Sequence, residues 1–209
     1  MRKPQGILLV LSGPSGAGKG TICKRLLEMR EDLAYSISCT TRKPRKGEVD
    51  GVNYFFHSKE EFEKLIAEDG FLEHAAVYDN YYGTPRSYVL EQLKAGKDIV
   101  LEIDIQGALQ VRKNYPGGVF VFIVPPSLDE LSKRIYNRGT DAEDVIKKRL
   151  SAATTELTYA SKYDYLVVND EVEKAATKVS KIMDTEHLRV DRTFYIVGEI
   201  CKNGKIEGV

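Results

Sequence analysis

Short, unbroken apolar runs alternate along this chain with longer stretches of helical period. Residues 7–11, 99–101, 119–124 and 165–168 are rich in Val, Ile, Leu and aromatic residues with no polar interruption, the pattern of strands buried on both faces. Between them the spacing predicts helices near residues 21–30, 87–96, 106–114, 128–137, 143–160 and 171–188. Alternation of this kind implies an α/β fold, a parallel sheet flanked by helices on both sides. Ligands on such a sheet sit at the carboxyl ends of its strands.

Two places break the rhythm. Across residues 35–85 a strand-like run at 35–38 leads into a basic turn and then Tyr54-Phe55-Phe56. A short helix follows, opened by Ser58 and Glu61 as a capping box, then a strand at 71–78, a turn at Asp79-Asn80 and Tyr81-Tyr82. Clustered strands with one small helix read as an α+β insertion, residues 38–85, in a core made of residues 1–37 and 86–190. The second break is Arg138-Gly139-Thr140-Asp141, followed by Glu143 in capping-box register with Thr140. An Arg-studded, glycine-hinged segment of this kind, within residues 128–150, reads as a lid. In the tail, residues 190–209, apolar residues flank Asn203-Gly204, a hairpin-turn signal. A small β-hairpin or a loosely ordered end is expected there, with no chemistry assigned.

Composition narrows the function classes. The 209 residues carry 31 Lys+Arg against 31 Asp+Glu, so no global charge argues for nucleic acid or a membrane surface. A polyanionic ligand has to be held by a local basic cluster. Cys23, Cys39 and Cys201 form no C-x-x-C pair, which speaks against a disulfide framework or a zinc site and for a reducing, cytoplasmic setting. The first apolar run ends at Ser12, too short for a membrane span. Oligomeric state, monomer or homodimer, is left open by the sequence.

Candidate chemistry starts behind the first strand, at Gly13-Pro14-Ser15-Gly16-Ala17-Gly18-Lys19-Gly20-Thr21. A strand, a glycine-rich turn and a helix in that order make a phosphate cradle. Glycines allow φ > 0 and close backbone approach, and the helix start adds partial positive charge. Lys19 can reach the β- and γ-phosphates of a nucleoside triphosphate. The general motif has Ser or Thr after the lysine as a magnesium ligand. Gly20 stands there instead and Thr21 comes one place later, so the cation's direct ligand is unsettled. A second anion site is suggested by Arg42-Lys43-Pro44-Arg45-Lys46, where arginine forks flank a stiffening proline. Tyr54, Tyr81 and Tyr82 in the same insertion can offer hydroxyls.

The order of these motifs resembles the guanylate kinases. Gly13-Pro14-Ser15-Gly16-x-Gly18-Lys19, Ser38-x-Thr40-Thr41-Arg42-x-Pro44-Arg45-x-Gly47-Glu48 and Gly51-x-x-Tyr54 carry the resemblance. Phe71-x-Glu73, Asn80-Tyr81-Tyr82-Gly83-Thr84 and Glu102-Ile103-Asp104-x-Gln106-Gly107 continue it. It runs on through Pro125-Pro126-Ser127, Arg138-Gly139-Thr140 and Lys148-Arg149-Leu150 to Val168-Asn169-Asp170, covering about residues 5–188. The resemblance implies a P-loop kinase that moves a phosphoryl group from ATP to GMP, or to dGMP, with Mg2+. It implies that Arg42, Arg45, Tyr54 and Tyr82 hold the phosphate of GMP. Glu73 and Asp104, helped by Ser38 and Thr84, would take the guanine, with Glu102 nearby as a metal-organising carboxylate. It further implies that Lys19, Arg134, Arg138 and Arg149 neutralise the transferring group and that Asn169 lies near the adenine. A kinase for another nucleoside monophosphate, or a catalytically silent binding module, are the alternatives.

Overall fold

The computed structural model describes residues 5–136, 151 and 153–203. Five strands form an all-parallel sheet: β1 (Leu8–Ser12), β2 (Leu33–Tyr35), β7 (Asp98–Glu102), β8 (Val119–Val124) and β9 (Tyr165–Val168), in the order β2-β7-β1-β8-β9. β1 lies in the middle, and its alternate side chains feed two cores. Leu9 and Leu11 pack with Ile22, Cys23 and Leu26 of α1 (Lys19–Met29) and with Ala176, Val179 and Met183 of the long helix Val172–His187. Leu8 and Val10 face the other way, onto Val89 and Leu93 of α3 (Arg86–Lys94) and Ala108 and Val111 of α4 (Ile105–Asn114). Strands covered on both faces have no polar side to show, which is why the apolar runs are continuous.

The insertion is a second sheet, order β4-β3-β6-β5, made of β3 (Cys39–Thr40), β4 (Phe55–Phe56), β5 (Phe71–Val77) and β6 (Asn80–Pro85). Helix α2 (Lys59–Ala67) begins at the predicted capping box: the Glu61 amide donates to Ser58 Oγ and the Ser58 amide to Glu61 Oε2. Its buried Phe62 stacks on Phe71 at 4.4 Å and on Tyr81 at 5.4 Å between ring centroids. This small core covers one face of the second sheet. A register shift between Phe71 and Glu73 re-aims β5 at the point where Glu73 enters.

Four details differ from the sequence reading. Residues 33–35 pair with β7 as an edge of the main sheet, so the insertion's own strands start at Cys39. The hairpin between β5 and β6 turns at Tyr78-Asp79, one position before the expected Asp79-Asn80, with Tyr78 at φ 53°. Of the helix expected over 143–160, residues 151 and 153–157 are helical and a 3₁₀ turn follows at Thr158–Lys162, while residues 143–150 and 152 lie outside the described residues.

The tail supplies the fourth: residues 190–203 are helical, not a hairpin. After α5 (Leu128–Tyr136) and α6 (Val172–His187) come α7 (Val190–Thr193) and α8 (Tyr195–Asn203). Arg192 ties this appendix down, donating to Gly117 O at 3.0 Å and to the buried Glu186 at 3.4 Å. β-branched residues favour strands only where they pair with a neighbouring strand, and the structure pairs none of these residues with a strand. Among the described residues no helix is long and apolar enough to cross a membrane.

Candidate active site

The glycine-rich loop lies at the carboxyl end of β1 and closes onto the start of α1. Gly13, Gly16 and Gly18 have φ of 142°, 87° and 89°, angles that a side chain resists. The loop carbonyls of Gly13 and Pro14 accept from Lys19 Nζ at 2.7 and 3.1 Å, folding the ammonium over the turn. One loop amide already meets an anion: Ser15 N donates to a Glu156 carboxylate oxygen at 3.3 Å. Glu156 had no signal in the sequence, because its place above the loop depends on tertiary contacts.

Gly20 and Thr21 are exposed in the first turn of α1. A Cβ on Gly20 would stand 3.2 and 3.3 Å from the two Glu102 carboxylate oxygens. The register of β1 on β7 pairs Leu11 with Glu102 and so brings this carboxylate beside the loop. The same charge helps burial push the Cys23 thiol up to about 12, burial being the larger cause.

Two residues beyond Glu102, Asp104 caps α4, its Oδ1 accepting from Gly107 N at 2.8 Å. This cap is a structural use of Asp104 that the sequence reading did not foresee. Glu73 comes to the same spot from β5: a Cβ on Gly107 would lie 3.3 Å from Glu73 Oε2 and 3.4 Å from Asp104 Oδ1. Two carboxylates thus converge at Gly107, where an added Cβ would crowd both. Glu73 is only 9% exposed, buried within β5, and its Oε1 accepts from the Thr84 hydroxyl at 2.6 Å. Burial raises its pKa above the ordinary glutamate value; the Thr84 bond opposes this and the charge of Asp104 adds to it. Ser38 lies at the entry to β3, half-buried, with its carbonyl bonded to Phe55 N.

The basic turn is organised by a residue that the sequence reading quoted but gave no role. Glu48 takes the Arg42 guanidinium in a fork at 2.9 and 3.0 Å and accepts from Arg45 N at 2.7 Å. The bond to Glu48 holds the Arg42 pKa above its ordinary value; desolvation opposes it and Tyr82 adds to it. The Arg42 guanidinium also lies 5.4 Å over the Tyr54 ring, and Tyr54 meets Tyr82 edge-on at 6.2 Å. Arg45 is exposed. Arg42, Tyr54 and Tyr82 therefore form one group on the insertion, with Arg45 on the same turn.

Arg134 on α5 is committed to Glu130 at 2.9 Å and to the Asn169 carbonyl at 3.1 Å. Arg138 and Arg149, assigned to the lid, lie outside the described residues. The Asn169 side chain is 3% exposed and lies beside the loop, with Nδ2 donating to Ala17 O at 2.8 Å. His57 and His74 take no part in this site. His187 is bonded to the buried Asp98 at 2.8 Å, at the opposite end of β7.

Comparison with known proteins agrees with this arrangement. A family model described as guanylate kinase matches residues 5–186. A guanylate kinase of Caldanaerobacter subterraneus subsp. tengcongensis is 60% identical over 190 residues, 91% of this chain and 92% of that protein. One of Oceanobacillus iheyensis is 53% identical over 204 residues, 98% and 99% of the two chains. The crystal structure of guanylate kinase from Anaplasma phagocytophilum superposes with a TM-score of 0.69 at 35% identity, covering 91% of this chain and 90% of that one. With loop, converging carboxylates and arginine turn in place, and the family model spanning all but the two ends, the chain belongs to the guanylate kinase family.

Proposed function

We propose that this chain transfers the γ-phosphoryl group of ATP to GMP, giving ADP and GDP, and that dGMP is taken by the same contacts. The observation that carries the reading is the series of carboxylates running from the phosphate loop to the insertion. Glu102 lies against Gly20, Asp104 follows two residues on, and Glu73 meets Asp104 at Gly107. Guanine presents two neighbouring donors on one edge, N1–H and the 2-amino group, and Glu73 and Asp104 are the acceptors for them. Ser38 and Thr84 complete that pocket. Adenine has no such donor pair, and buried acceptors left unpaired reject the wrong base by about 10⁴-fold or more.

The phosphate of GMP goes to Arg42, Arg45, Tyr54 and Tyr82. ATP lies along residues 13–21, its phosphates on the loop amides and on Lys19. Phosphoryl transfer asks the protein mainly for in-line positioning and for neutralised oxygen charge. Lys19 holds the β- and γ-phosphate oxygens, and Arg134, with Arg138 and Arg149, closes on the group in flight. The donors fit a magnesium ion carried by ATP: the Glu102 carboxylate and the Thr21 hydroxyl are hard oxygen ligands. Among the described residues no cluster of three His, Cys, Asp or Glu offers a cage. Such an ion draws its remaining ligands from phosphate and water, and when bound it supplies charge to the transferring oxygens. We place the enzyme in the cytoplasm, on its free cysteines Cys23, Cys39 and Cys201.

A coupled ADP-release assay with GMP, dGMP, AMP, dTMP and UMP tests the reading. Turnover of GMP far above AMP, dTMP and UMP is expected. Turnover of AMP above GMP, or GMP binding with no ADP formed in the presence of ATP and magnesium, rejects it.

A further inference from the structure

Glu73 enters the site from β5, the outer strand of a sheet whose order is β4-β3-β6-β5. An outer strand turns half of its amides and carbonyls away from its neighbour, and these need partners from elsewhere. Here they come from α4, a helix of the main core. The His74 amide donates to Gln110 Oε1, and Gln110 Nε2 donates to the His74 carbonyl, both at 3.2 Å. One carboxamide thus pairs with β5 as another strand would. One helical turn on, Asn114 Nδ2 donates to the Leu72 carbonyl at 2.9 Å. The register on β6 shifts between Phe71 and Glu73, and Leu72 has no partner there. Its side chain is instead fully buried in the main core, in one cluster with Ala108 and Val111 of α4.

Glu73 therefore stands between two residues that are both fastened to α4. Asp104 caps the same helix, and Gly107 is where the two carboxylates meet, a Cβ there lying 3.3 Å from Glu73 Oε2 and 3.4 Å from Asp104 Oδ1. One helix holds both acceptors: Asp104 at its start, and Glu73 through the main chain that Gln110 grips.

We propose that Gln110 is a positioning residue for the guanine pocket. By pairing with the main chain of His74 it holds β5 on α4, and so sets the spacing of Glu73 from Asp104. The inference rests on the guanine reading of those two carboxylates given above. Gln110 acts through the strand and needs no contact with the nucleotide.

Gln110→Met keeps the length of the side chain and removes both bonds. Inosine monophosphate keeps the N1–H donor of guanine and lacks the 2-amino group, so it reports on the spacing of the two acceptors. Initial rates are measured with ATP, GMP and inosine monophosphate varied in turn, in the parent, Gln110→Met, Glu73→Gln and the double variant. Gln110→Met is expected to raise KM for GMP about tenfold and to leave KM for ATP within about twofold. The preference for GMP over inosine monophosphate in kcat/KM should fall about threefold or more. Beside Glu73→Gln the same substitution should change KM for GMP by less than about twofold, because the group it positions is already altered. Equal rises in both KM values, an unchanged preference between the two bases, or a full effect that persists beside Glu73→Gln overturn the proposal.

Glu73→Gln alone keeps the two readings apart. An unchanged KM for GMP there removes the guanine pocket itself, whereas a raised KM there with an indifferent Gln110→Met removes only the positioning role. Should Gln110→Met fail to fold, hydrogen exchange of the parent decides. The His74 amide is expected to exchange slowly without GMP, and exchange at the rate of an open strand edge overturns the proposal.

Discussion

Glu73→Gln sets the needs of the fold against those of the ligand. The substitution keeps the volume and, by rotation of the Thr84 hydroxyl, the 2.6 Å bond inside the pocket. It removes the charge and turns one of two acceptors into a donor. Losing a charged acceptor from a buried site costs about 1.5–3 kcal/mol of guanine recognition, a rise of about ten- to a hundredfold in KM for GMP. The ligand-free fold responds with the opposite sign. Burial, and less so the Asp104 charge, raise the Glu73 pKa in the folded state. Below the ordinary glutamate pKa the group is protonated folded or unfolded and carries no penalty. As the pH rises through that value the unfolded chain releases its proton first, and stability falls until the raised folded pKa is passed. Glu73→Gln, which has no charge to bury, is therefore more stable than the parent at pH 7.5, with the gain vanishing near pH 4. Urea unfolding at the two pH values and initial rates with GMP varied test both halves. A variant less stable than the parent at pH 7.5, or an unchanged KM for GMP, refutes the reasoning.

Other substitutions probe separate links. Lys19→Met should leave GMP binding nearly intact and lower kcat by orders of magnitude, as read by isothermal titration and steady-state rates, since it removes charge stabilisation felt in the reaction. Glu48→Gln loosens the fork on Arg42 and should raise KM for GMP about fivefold with kcat nearly unchanged; a fall in kcat alone would contradict the positioning of Arg42 at the GMP phosphate. Asp98→Ala deprives Ile7 N and His187 Nε2 of their buried acceptor, at 2.7 and 2.8 Å. It should cost about 2–4 kcal/mol of stability in chemical denaturation, while kcat of the folded enzyme holds, because this pair lies at the far end of β7.

Periodicity alone was enough to read four of the main sheet's five strands. Strands such as 99–101 and 119–124 are apolar throughout because helices cover both their faces, and a continuous run between turn signals survives any change of context. The phosphate loop was equally legible, since its glycines serve local backbone angles that the neighbouring residues impose. Legibility failed where a partner distant in sequence decides. Residues 33–35 become a core edge only because β7 offers its free side. The apolar residues 193–197 fall in helical segments, although they read as a strand. Asn169 reads as a loop residue by its position and is bonded to the Ala17 carbonyl, 152 residues away. The site divides along the same line. Residue types and their order, which depend on local chemistry, named the two candidate anion-binding segments. Only the tertiary structure brought Glu73 and Asp104 together at Gly107, put Glu48 on Arg42 and set Glu102 against Gly20, because a buried carboxylate is placed by the packing around it and not by its neighbours in the chain.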